Sequence, residues 1–133
     1  MAELQRAILE ECAEWVEPHP CVKAVYVFGS IARGDYRADS DVDIYVETAI
    51  TGHEMVQDFT DFHEGADGFA ILLGGKIGRD VHVHGMVLSE PTDHAWPAIQ
   101  AASRTPVAQL GKAMLSATPK IKSHGAAQHG LID

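Results

Sequence analysis

The chain has 133 residues, 46% of them hydrophobic, and carries a formal net charge of −9. That length predicts one domain, burying roughly two-thirds of its unfolded surface around one core, and that composition excludes a disordered chain. The acidic balance argues against a protein that holds DNA, RNA or an anionic membrane through bulk charge, so direct nucleic-acid binding is not expected; a nucleotide whose phosphates meet metal ions remains compatible.

Residues 2–17 carry a helical stripe of Leu4, Ala7, Ile8, Cys12, Trp15 and Val16, with Glu3, Glu10, Glu14 and Glu17 on the solvated side. The run "EPHP" stops this helix, because proline cannot continue it. Residues 22–28 read as a buried strand. Ser30 is placed to cap a short turn of helix over Ile31–Arg33. "GDYRADS" reads as loop, and residues 41–47 alternate as a second strand.

Residues 53–75 keep helical spacing, but Gly65 and Gly68 interrupt it. The expectation is a helix, open to a break there, that ends at Gly74-Gly75. Residues 80–88, "DVHVHGMVL", read as a third strand, residues 93–103 as another helix and residues 105–110 as a short last strand. The chain therefore divides into a domain over 1–117 and a frayed tail over 118–133. Trp15, Phe59 and Phe62 read as core. Cys12 and Cys21 are the only cysteines and lack a framework spacing, which predicts a reducing compartment. An acidic, amphipathic N-terminus does not look like a signal peptide, and no apolar run approaches membrane length. The expectation is a cytoplasmic protein with no membrane partner.

The stretch "VYVFGSIARGDYRADSDVDIYV" concentrates the chemistry. Asp41 and Asp43 are two apart on a strand, so both project to one face while Val42, Ile44 and Val46 pack on the other. At roughly 5 Å and an effective dielectric near 20, two such carboxylates repel by about 3 kcal/mol. A divalent cation or a proton between them removes that cost, and Mg²⁺ is the usual cation for one or two carboxylates plus substrate phosphates. Gly29 lets a backbone approach a ligand closely. Ser30, at the start of a helix, offers free N–H groups to an anion. Arg33 lies one turn further on. Together they predict a nucleoside triphosphate site.

Gly29-Ser30, ten intervening residues and then Asp41-Val42-Asp43 resemble the signature of the polymerase-β nucleotidyltransferase superfamily. "GSIARGDYRADSDVDIYV" is similar to its minimal nucleotidyltransferase branch, in which the turn reads Gly-Ser-x-Ala-Arg-Gly and a serine, here Ser40, precedes the first aspartate. The resemblance implies a small mixed sheet flanked by helices, an α/β (α+β) fold of the polymerase-β type. It also implies a third carboxylate on a later strand, and Asp80 is the matching position, although His82 and His84 follow where the family usually has plain apolar residues. Asp41, Asp43 and Asp80 are then the expected catalytic and metal-binding residues, with Gly29, Ser30 and Arg33 binding nucleotide. Two Mg²⁺ ions and ATP as substrate are the expected cofactors.

Minimal members of this family are often antitoxins that transfer AMP from ATP to a tyrosine of a helical HEPN-domain toxin, so a HEPN-type partner is the expected acceptor. Two alternatives stand beside it: an aminoglycoside-type small-molecule acceptor, and a non-catalytic module that binds a partner or a nucleotide on the same fold. Asp80, His82 and His84 share a strand face, which also raises a transition-metal site. Two exposed imidazoles are the plainer reading, because linear spacing on a flat strand suits a closed site poorly.

Overall fold

The computed structural model describes residues 1–85 and 106–116 of the chain. The elements run α1 (Glu3–Val16), β1 (Val22–Phe28), α2 (Ser30–Arg33), β2 (Val42–Thr48), α3 (His53–Ile77), β3 (Val81–Gly85), β4 (Ala108–Leu110) and β5 (Ala113–Leu115). They form a five-stranded mixed sheet of order β3-β2-β1-β5-β4, with helices packed on it. β1 is antiparallel to β2 and parallel to β5, and β2 is parallel to β3. This is the small α+β architecture expected. The helix expected over 93–103 and the tail expected over 118–133 lie outside the described residues, as do residues 86–88 of the third strand.

Strand alternation sorts the residues between the two faces. Val25, Val27, Val42, Ile44 and Val46 join Ile8, Leu9, Cys12 and Val16 of α1 and Phe62 and Leu73 of α3 in the main core. Ala24, Tyr26, Phe28 and Tyr45 make a second cluster on the opposite face. Val22 breaks the alternation because the β1–β2 register shifts between Val22 and Ala24, and such a bulge reverses the facing of what precedes it.

Two expectations need correction. The helix over 53–75 is continuous and longer, since Gly65 and Gly68 do not break it. A helix glycine costs only about 1 kcal/mol against alanine, and the buried Phe62, Ala66 and Leu73 with the Trp15 stack on Phe69 at 4.0 Å more than offset that. Nor do Gly74-Gly75 end it: Gly74 is internal, and its missing side chain makes room for the Arg79 carbonyl, which would lie 2.8 Å from an added Cβ. The chain then turns directly into β3. The short last strand is in fact a hairpin, with β4 antiparallel to β5 and β5 inserted beside β1. Among the described residues no helix is long and apolar enough to cross a membrane.

A clasp joins the α1–β1 turn to α3. Asp58 accepts from His19 Nδ1 at 2.9 Å and from the Cys21 backbone N–H at 3.0 Å, while Lys112 Nζ donates to the His19 carbonyl at 2.8 Å. Burial alone would raise the Asp58 pKa; the hydrogen bonds from Cys21 and His19 outweigh it and hold the carboxyl below its ordinary value. Burial, then the hydrogen bond to Asp58, pushes the Cys21 thiol up to about 12. Burial likewise pushes the Cys12 thiol well up. Neither cysteine is a thiolate near neutral pH, so neither is a nucleophile there.

Candidate active site

The Gly-Ser turn sits at the end of β1, where the chain must leave the sheet and enter α2. Gly29 has φ of 76°, a left-handed value that favours glycine. Its carbonyl begins a tight turn, with Arg33 N–H donating to the Gly29 carbonyl at 3.0 Å and Gly34 N–H to the Ser30 carbonyl at 2.9 Å. Gly29 is thus the cap residue and Ser30 the first residue of α2, not the cap that the spacing predicts. Gln5, buried at the start of α1, donates from Nε2 to the Ile31 carbonyl at 2.8 Å. That bond ties the turn to α1, and no motif in the sequence marks it.

The reason for glycine at 29 is wider than ligand approach. Phe28 pairs with Asp43 across β1 and β2, and a Cβ on Gly29 would stand 3.3 Å from Asp43 Oδ2. The turn and the second aspartate are built against each other. Asp43 is 1% exposed. The Asp41 side chain, just before β2 begins, is 47% exposed. The two share a face by alternation, yet one is packed under the turn and the other opens to solvent.

Asp41 borders two clefts. One, of about 400 Å³, is lined by Ser30, Arg33, Arg37 and Ser40 as well as Asp41, which gathers three of the expected site residues around one space. Arg33 is not a free surface arginine: its side chain is only 13% exposed and its Nε donates to Asp35 at 3.2 Å. The second cleft, of about 630 Å³, runs from Asp41, Asp80 and His82 along Ile71 and Gly75 of α3. Asp80 is exposed and lies just before β3, and its backbone carbonyl accepts the Val42 N–H at 2.9 Å.

The loop that carries Asp41 is held by a residue that pattern reading passes over. Arg79 Nη1 donates to the Arg37 carbonyl at 2.7 Å and the Ser40 carbonyl at 2.9 Å, and its guanidinium lies 5.3 Å from the Tyr36 ring centroid. Ser40 Oγ accepts the Arg37 N–H at 2.8 Å. The histidines also fall at the site. His82 Nε2 lies 3.2 Å from Asp41 Oδ2, and His84 Nε2 lies 3.6 Å from Asp43 Oδ1. They are therefore not merely exposed imidazoles; each stands beside one aspartate.

Asp41 and Asp43 are hard oxygen donors, and the open edge of Asp41 faces the cleft that holds Ser30 and Arg33. Such a set suits a hard divalent cation completed by phosphate oxygens. Among the described residues, no three His, Cys, Asp or Glu side chains stand close enough to hold a metal by themselves. A bound cation would draw its remaining ligands from the substrate and from water, as Mg²⁺ commonly does.

The profile of the family described as "Polymerase beta, Nucleotidyltransferase" matches residues 10–81, more than half of the chain. No curated protein matches, and no solved structure matches. The matched span runs from the middle of α1 to the first residue of β3, so it contains the Gly-Ser turn, Asp41, Asp43 and the helix that walls the second cleft. The chain belongs to the polymerase beta nucleotidyltransferase family.

Proposed function

We propose that this protein transfers AMP from ATP to an acceptor hydroxyl, with Asp41 and Asp43 as its metal-binding carboxylates. The observation that carries the reading is the packing of Gly29 against Asp43 while Asp41, Ser30 and Arg33 face one cleft. In this reading Ser30 and Arg33 orient the triphosphate, and Arg79 keeps the Asp41 loop from moving away from it. A bound Mg²⁺ supplies charge neutralisation on the phosphates and a lowered pKa for the attacking hydroxyl. The resemblance gives two such ions and makes Asp80 the third carboxylate. The residues themselves contribute positioning and preorganised charge.

The acceptor we favour is a tyrosine of a HEPN-type partner, which makes this protein its antitoxin. The second cleft supports a large acceptor through its exposed apolar wall, where Ile71 is 76% exposed beside Gly75. A partner surface covers such a wall. A second reading has its own support: Asp39, Asp41 and Asp80 border the same cleft, and an acidic cleft of that volume suits a polyamine sugar such as an aminoglycoside. Intact-mass analysis separates the two. Incubation with ATP, Mg²⁺ and the co-purifying partner gives AMP adducts on that partner if the first reading holds. Adducts on an aminoglycoside and none on any protein promote the second.

A further inference from the structure

We infer that Arg37 is a further substrate-binding residue, the arginine whose charge is left available to the triphosphate. The inference rests on the nucleotidyl-transfer reading and adds a residue to it. Its evidence is the charge inventory of the smaller cleft and the way the loop around it is held.

The cleft of about 400 Å³ is lined by Arg33 and Arg37 on the basic side and by Asp35, Asp39 and Asp41 on the acidic side. Arg33 already has a carboxylate: its Nε donates to Asp35 at 3.2 Å. Those two charges largely offset each other. Arg37 is exposed, and its side chain enters no ion pair or hydrogen bond among the described residues. A triphosphate brings several negative charges towards Asp39 and Asp41. A cation on Asp41 meets part of that charge, and Arg37 is the cleft-lining group that can meet more of it without first giving up a carboxylate.

The backbone of Arg37 is fixed where its side chain is not. Its N–H donates to Ser40 Oγ at 2.8 Å, and its carbonyl accepts Arg79 Nη1 at 2.7 Å. The same Nη1 donates to the Ser40 carbonyl at 2.9 Å, directly before Asp41. Arg79 therefore holds residue 37 and the metal-binding carboxylate in one relation. A long side chain on a tethered backbone reaches the cleft without moving the loop. Its planar guanidinium offers two parallel N–H donors that match a pair of phosphate oxygens. An ammonium at the same place is a point charge and lacks that fork.

The test is calorimetric titration of the full chain with ATP and, separately, with inorganic triphosphate, both with Mg²⁺. Arg37→Gln keeps the loop's bonds, because they run through the backbone of residue 37. It should weaken ATP and triphosphate by the same factor, roughly 10- to 100-fold, at an unchanged melting temperature. Arg37→Lys should fall between it and wild type, and it carries the test if the glutamine variant does not fold. Lys23→Gln removes a positive charge near the start of β1, away from the turn, and should change neither affinity. Wild-type affinity in the Arg37 variant, a loss for ATP that triphosphate does not share, or an equal loss in Lys23→Gln overturns the inference. If Asp41→Asn still removes Mg²⁺-dependent ATP binding in that case, the nucleotidyl-transfer reading stands. No binding of ATP or triphosphate by wild type with Mg²⁺ overturns both.

Discussion

The molecule contains two aspartate–histidine pairs that look alike as chemistry and differ in surroundings. In the clasp, Asp58 meets His19 at 2.9 Å and takes a backbone N–H as well, with both side chains about one-fifth exposed. At β2 and β3, Asp41 meets His82 at 3.2 Å with both about half exposed, on the border of two clefts. The first carboxylate is committed to its own chain. The second keeps an open edge beside a second, buried carboxylate. A short ion pair is thus not by itself a sign of function; what separates the two is how much of the carboxylate remains available to something else.

The sharpest way to break this comparison is to neutralise each pair in turn. Asp41→Asn with Asp43→Asn should lower nucleotidyl transfer by at least roughly 10²–10³-fold, read with labelled ATP, while the fold survives. Asp58→Ala should do the reverse. It leaves the Cys21 N–H and His19 without their acceptor, and a stability loss of about 2–3 kcal/mol in urea unfolding is expected, with transfer per folded molecule unchanged.

The acid limb sharpens the same contrast. The folded-state pKa of Asp58 lies below its ordinary value of 3.8. Its contribution is therefore present above that value and is lost as pH falls through the lower folded one. The stability gap between wild type and Asp58→Asn should narrow as pH falls below about 4. A gap that widens in acid contradicts the clasp.

Smaller effects probe the turn and the helix. Gly29→Ala forces a left-handed residue and a Cβ 3.3 Å from Asp43 Oδ2. It should cost about 1–2 kcal/mol of stability and weaken triphosphate binding too, because turn and carboxylate share that space. Gly65→Ala and Gly68→Ala meet nothing within 4 Å. Each should stabilise α3 by about 0.5–1 kcal/mol and leave both aspartate pairs as they are, measured as a rise in melting temperature at constant transfer rate.

Much of this was legible in the sequence, and the parts that were not have physical causes. β1 falls on residues 22–28 as the apolar run predicts, and the Gly-Ser turn with its two aspartates stands out because strand alternation makes a buried carboxylate conspicuous. β5 escaped notice because three residues carry no periodicity, although they lie inside the sheet. The unbroken α3 contradicts local glycine signals because tertiary packing overrides propensity. Gln5, Arg79 and Asp58 act through backbone groups distant in sequence. Such contacts leave no spacing to read. His82 was visible as a residue, but its place 3.2 Å from Asp41 needs the pairing of two strands.

Calorimetric titration of ATP in the presence of Mg²⁺, paired with melting curves of the ligand-free protein, tests the central claim most directly. Wild type should bind ATP only with the cation present. The Asp41→Asn, Asp43→Asn double variant should lose that binding while its apo melting temperature stays level or rises, since two repelling carboxylates have been removed. A double variant that unfolds, or that binds ATP as wild type does, would contradict the account.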